Sequence, residues 1–198
     1  VVTPAWGPYP RLRRWPEFLL LQPVAVGMAL IGGSPLPHPF GLWVEPQVRV
    51  GAFLPLLEVV AVGLLLRSRW SRDYEEAVTA GSTVLPRAVV LAVAAVVAAV
   101  PWAVLLVRGV PASFVVMTVG WLGLGVGVLL LGFGPAGPAW AIPVAAAVAG
   151  ALAAGGWFPA VVAVLGDGLG AGRPVWAPVV DLLVLAAGVA AHLRRGAG

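Results

Sequence analysis

Residues 88–107 read "AVVLAVAAVVAAVPWAVLLV", an unbroken run without a charge. At 1.5 Å per residue a helix of this stretch is about 30 Å long, the thickness of a bilayer's hydrocarbon core and too long for a barrel strand. The rest of the chain has the same character: 61% of its 198 residues are hydrophobic, 10% are charged and the mean hydropathy is +1.00. A water-soluble domain would have to expose that surface at the cost of aggregation. The composition therefore predicts an all-α integral membrane protein, in which each spanning backbone satisfies its own hydrogen bonds.

Outward from that run, the apolar stretches predict six transmembrane helices at about 18–33, 48–66, 88–107, 111–133, 139–156 and 175–193. They form one domain over 18–195, preceded by an interfacial segment at 1–17. Glu58 falls near the middle of the second span and Asp181 inside the sixth. "WFPAVVAVLG" (Trp157 to Gly166) is apolar but too short to cross, and reads as a re-entrant or interfacial piece.

Arginine tests the orientation, because the net charge of +4 contains no lysine. With the N-terminus cytoplasmic, the inner side carries Arg11, Arg13, Arg14, Arg67, Arg69, Arg72, Arg87, Arg194 and Arg195, against Arg49, Arg108 and Arg173 outside. That excess favours both termini on the cytoplasmic side. Arg13, Arg14 and Trp15, with Arg67, Arg69 and Trp70, are expected to anchor at the lipid headgroups, which suits a basic apolar chain better than nucleic acid does. The N-terminal segment, with Trp6 and Tyr9 also interleaved among arginines, does not read as a cleaved signal peptide, since no small-x-small site follows its late apolar run.

Seven of the twenty charged residues lie between Arg67 and Arg87, in "RSRWSRDYEEAVTAGSTVLPR" between the second and third spans. Ser71 can cap a short helix whose first turn holds Asp73, Glu75 and Glu76, the sign that suits a helix N-terminus; Gly81 stops it, and Pro86 is tolerated in the first turn of the next span. Tyr74, Ala77 and Val78 would share its apolar face. Two readings remain open from the pattern: a lipid-surface helix, or a docking element for a cytoplasmic partner.

The arrangement resembles the permease subunit of type-2 ATP-binding-cassette (ABC) exporters. The shared features are a basic aromatic lead-in, six spans, a short cytoplasmic helix between spans two and three, and a re-entrant piece between spans five and six. "DYEEAVTAGSTVLPRAVVLA" is similar in kind to that family's connection. Glu75 and Glu76 stand for its acidic residues, Thr79 and Gly81 for its Thr-Gly step, and Pro86 with Arg87 for its lead-in to span three. Ala80 is extra within the step and the gap to Pro86 is longer. The resemblance implies a coupling helix carrying Arg72, Asp73, Tyr74, Glu75, Glu76, Val78 and Thr79, docked on a separate P-loop ATPase. It also implies a bacterial plasma membrane location and pairing with a second copy or a similar permease.

The chain itself lacks any lysine and so any P-loop, because that motif's lysine must reach the terminal phosphates. No cofactor is expected in this chain, and ATP and Mg would belong to the partner. "GWLGLGVGVLLLGFG" (120–134) mimics a nucleotide-loop spacing without a preceding strand, and its small residues read as a helix packing surface. "GDGLGAG" (166–172) reads as an outer loop. No cysteine is present, and His38 and His192 are expected on opposite sides of the bilayer, so a shared metal or haem is not predicted. Neither is hydrolytic catalysis, since Glu58, Asp167 and Asp181 fall on separate elements.

Glu58 and Asp181 are the intramembrane polar candidates. A carboxylate at bilayer depth costs several kcal/mol, about 3 on translocon scales, unless it is protonated, paired or facing water, so such residues often line a pathway or bind another helix. Two function classes follow: the membrane half of an ATP-driven exporter of apolar or amphipathic cargo, or a non-catalytic scaffold or accessory subunit. A proton-coupled secondary transporter is the rival within transport, although no inverted repeat is visible.

Overall fold

The computed structural model describes residues 14–34, 49–66, 84–132 and 177–194, which form five α-helices and one 3-10 turn. Helix α1 (Trp15–Leu30) has Pro16 and Glu17 in its first turn, where a missing N–H costs no bond and an acid suits the positive end of the dipole. It therefore starts ahead of the span expected at 18, with Trp15 to Glu17 already helical. A 3-10 turn, Val50–Phe53, runs directly into α2 (Leu54–Leu66).

Helix α3 (Val84–Val107) also begins earlier than expected, with Pro86 in its first turn. Its end follows a Schellman pattern: Gly109 adopts φ +76, its N–H reaches Leu106 O at 3.0 Å, and Val110 N–H reaches Leu105 O at 3.1 Å. Glycine meets no Cβ penalty in that left-handed conformation. Leu105 and Val110 then pack in one buried cluster, the apolar contact that accompanies this cap. Pro111 follows, and α4 (Ala112–Gly132) returns along α3. Helix α5 spans Ala177–Arg194. Among the described residues, α3 and α4, with 24 and 21 residues, are long and apolar enough to cross a membrane; α1 and the Val50–Leu66 unit are shorter apolar helices.

Contacts at the helix ends give the path of the chain. Near one end of the bundle, Phe18 of α1, Leu65 and Leu66 of α2, Val90 of α3 and Leu129 and Leu130 of α4 share a cluster. Near the other, Ala29, Leu54, Leu105, Val110 and Val115 share a second. Gly51 N–H donates to Gly32 O at 3.0 Å, pinning the start of the 3-10 turn to the end of α1, and a Cβ on Gly51 would come within 3.0 Å of that same oxygen. Helices α1 to α4 thus run up and down alternately.

Helix α5 breaks the alternation. Arg87, near the start of α3, donates from Nη1 to His192 O near the end of α5 at 3.1 Å. A Cβ on Gly123 would meet Asp181 and Leu185, and one on Gly127 would meet Val184 and Leu185, so residue numbers rise together along α4 and α5. The pair is parallel: α4 finishes, and α5 also finishes, at the end that holds Arg87.

The surface is inverted relative to a water-soluble bundle. Leu20, Val96 and Val107 are 72%, 72% and 87% exposed, while Glu58 and Thr118 are fully buried. Proline occurs within α1 at Pro23 and within α3 at Pro101. Each removes one helical donor, a loss that neighbouring helices can absorb in an apolar bundle.

Candidate functional site

Helix α2 is the most enclosed of the five, packed between α1 and α4. Its residues are apolar on every side except at Glu58, which is 0% exposed. Opposite it, α1 carries Gln22, also buried, and Gln22 Nε2 donates to Glu58 Oε2 at 3.1 Å. The remaining oxygens of the two groups, Gln22 Oε1 and Glu58 Oε1, are shielded from solvent and make no hydrogen bond among the described residues. A carboxyl group and an amide therefore meet in the middle of the bundle with two acceptor oxygens left over.

A second polar pair joins α3 to α4. Trp102 Nε1 donates to Thr118 Oγ1 at 3.0 Å, and the Thr118 hydroxyl donates in turn to Val115 O at 2.9 Å. Every donor in that chain has an acceptor, as expected of a structural network in an apolar interior.

Asp181 is buried as well, at 3% exposure, but it lies on α5 beside Gly123 of α4. The two carboxylates singled out from the sequence therefore belong to different seams: Glu58 to α1/α2, Asp181 to α4/α5. Gly127 and Gly188 make the second seam close. A Cβ on Gly127 would lie 2.7 Å from Leu185 N, and one on Gly188 would lie 2.5 Å from Gly127 O. The glycine-rich stretch of α4 thus acts as a packing surface within a helix, in the manner of small-residue contacts between membrane helices.

The arginines sort by end. Arg14, Arg87 and Arg194 lie at the end where α1 and α3 begin, and Arg49 and Arg108 at the opposite end, where Arg49 stacks 5.7 Å from the Phe114 ring centroid. Arg14 sits 3.9 Å from Glu17, and Trp15 packs edge-on against Phe18 at 5.9 Å, so these expected lipid anchors also make contacts within α1. Arg13 and the whole connection 67–83, with Arg67, Arg69, Trp70 and the seven expected docking residues Arg72 to Thr79, lie outside the described residues, as do His38, the expected fifth span and the re-entrant piece. Among the described residues no group of three or more His, Cys, Asp or Glu side chains could hold a metal.

Sequence reasoning singled out Glu58 but not its partner. The available signal was Gln22 itself, an amide inside "FLLLQPVAV". Trp102 and Thr118 carried no such signal, because tryptophan and threonine are ordinary within apolar helices. Comparison of the chain with protein-family models, curated proteins and solved structures gives no match.

Proposed function

We propose that the chain is the membrane-spanning permease subunit of an ATP-driven ABC exporter, multi-pass in a bacterial plasma membrane with both termini cytoplasmic. It would pair with a second copy or a similar permease and move an apolar or amphipathic substrate with energy from a separate P-loop ATPase.

The observation that carries the reading is a shared end. Helix α2 finishes and α3 starts at the end that also holds Arg14, Arg87 and Arg194, so the charge-rich connection between them joins two helices on the side that the positive-inside rule makes cytoplasmic. An ATPase in the cytoplasm could reach it there. The parallel α4/α5 pair supports the six-span count. One helix finishes and the next starts at opposite ends of the bundle, the arrangement that the reading's one span between them would give. The exposed valines and leucines of α1, α3, α4 and α5 would face lipid.

In this reading, nucleotide-driven closure of two ATPase subunits pushes on the 67–87 connection and tilts α2 and α3 together, alternating access to a path between paired permeases. The test is recovery of the tagged chain from its native membrane in mild detergent, with mass spectrometry of what travels with it; a roughly stoichiometric P-loop ATPase is expected. In the reconstituted complex, Glu75→Arg with Glu76→Arg is expected to leave the chain folded and ATP hydrolysis measurable while transport falls at least tenfold. Unchanged transport would remove the coupling role, and co-purification of some other complex would favour the scaffold reading.

A further inference from the structure

We propose that Glu58 binds one proton and shares it with Gln22, so that the two side chains form a neutral acid–amide pair bridging α1 and α2 at the centre of the bundle. The proposal stands whether or not an ATPase docks on the cytoplasmic connection.

The hydrogen-bond inventory leads to it. An ionised carboxylate only accepts, whereas a primary amide offers two donors and one acceptor oxygen. In the structure the amide nitrogen serves Glu58 Oε2 at 3.1 Å, and the two atoms left without partners, Glu58 Oε1 and Gln22 Oε1, are both acceptors. Two buried acceptors cannot satisfy each other. One proton on Glu58 changes that, because Oε1 becomes a donor and the Gln22 carbonyl oxygen can receive it. The pair then has matched donors and acceptors on both sides and no net charge, and the cost of holding a bare carboxylate in an apolar interior is removed.

The alternatives to a proton fit less well. A hard metal ion takes about six oxygen ligands, and this pair supplies few. Nor, among the described residues, does a cationic side chain on an adjoining element reach the pair. Helix α4 contains no titratable residue between Ala112 and Gly132. Helix α3 contributes Arg87, which is turned to His192 O. On α1, Arg14 and Glu17 lie against each other at 3.9 Å, and Arg14 precedes Gln22 by eight residues, about 12 Å of helix rise. Arg49, ahead of α2, stacks on Phe114 at the opposite end. Loss of the proton would keep the Gln22 N–H on Glu58 Oε2 but leave a charge beside the Gln22 carbonyl oxygen with no donor between them, so the second bond of the bridge exists only in the protonated state.

Infrared difference spectroscopy on the full chain in lipid vesicles at neutral pH, wild type against Glu58→Gln, tests the proposal. All other carboxyl groups cancel. The expected result is a protonated-carboxyl C=O band, sensitive to deuterium exchange, in the wild type and absent from the variant, with the swapped double variant Gln22→Glu, Glu58→Gln recovering it. Loss of carboxylate bands in its place would show Glu58 ionised and overturn the proposal. Should Glu58→Gln fail to fold, Gln22→Leu serves: the acid band should move to the higher frequency of an unbonded carboxyl, and an unmoved band would overturn the pairing.

Discussion

Between α1 and α2 a polar contact crosses the seam amid apolar packing, Gln22 Nε2 on Glu58 Oε2 at 3.1 Å, whereas between α4 and α5 Gly127 and Gly188 bring backbone against backbone. The difference follows from what can hold apolar helices together in apolar surroundings. In the membrane proposed for this chain, lipid would compete with leucine on equal terms, so burial of one more leucine would gain little, and what remains is close van der Waals contact or a hydrogen bond. The α4/α5 seam uses the first and depends on the absence of a side chain. The α1/α2 seam uses the second and depends on the protonation and identity of two side chains. Steric change should therefore damage one seam, and chemical change the other.

The largest effect should come from Gly127→Ala. Its Cβ would stand 2.7 Å from Leu185 N and from the carbonyl carbon and oxygen of Val184, all backbone atoms that cannot rotate away. The helices must separate, at a cost of about 1–3 kcal/mol or more for overpacking, and thermal unfolding in detergent micelles should show a marked fall in midpoint. Gln22→Leu should cost less, about 0.6–1.7 kcal/mol, the range found for hydrogen bonds between membrane helices. A loss as large as that of Gly127→Ala would mean that the polar bridge, not the glycine contact, dominates the bundle. Gly27→Ala should have the smallest effect and the opposite sign. Gly27 lies in α1 with nothing within 4 Å of a Cβ, so alanine's better helix propensity should stabilise by up to about 1 kcal/mol. A destabilised Gly27→Ala would mean that this face of α1 is covered by something other than the described helices.

Much of the scaffold was legible in the residues. The uncharged stretch at 88–107 is helical throughout, and α3 extends it back to Val84 because a proline in the first turn does not stop a helix. The five described arginines fall at two ends of the bundle in the same grouping, Arg14, Arg87 and Arg194 against Arg49 and Arg108. The glycine pattern of 120–134 was readable as packing surface because it lacked the strand a nucleotide loop needs, although nothing in it named α5 as the partner. Glu58 was visible as the charge out of place in an apolar run. Asp181 drew attention for the same reason, yet it belongs to another seam.

What could not be read was who meets whom. Gln22 and Glu58 are 36 residues apart, Trp102 and Thr118 are 16 apart, and Arg87 and His192 are 105 apart. Hydrophobicity and charge are properties of a stretch, and they decide that a helix forms and on which side its ends emerge. Partner choice depends on which faces of two helices touch, and α2 and α4 are apolar on nearly all sides, so their sequences carry no stripe to mark the facing residues. The residues alone thus determined helices, their apolar exterior and the sorting of their ends. The parallel α4/α5 pair and the meeting of Gln22 with Glu58 came from packing, in which small residues set how closely backbones approach and a buried polar group must find its partner wherever the chain can bring one.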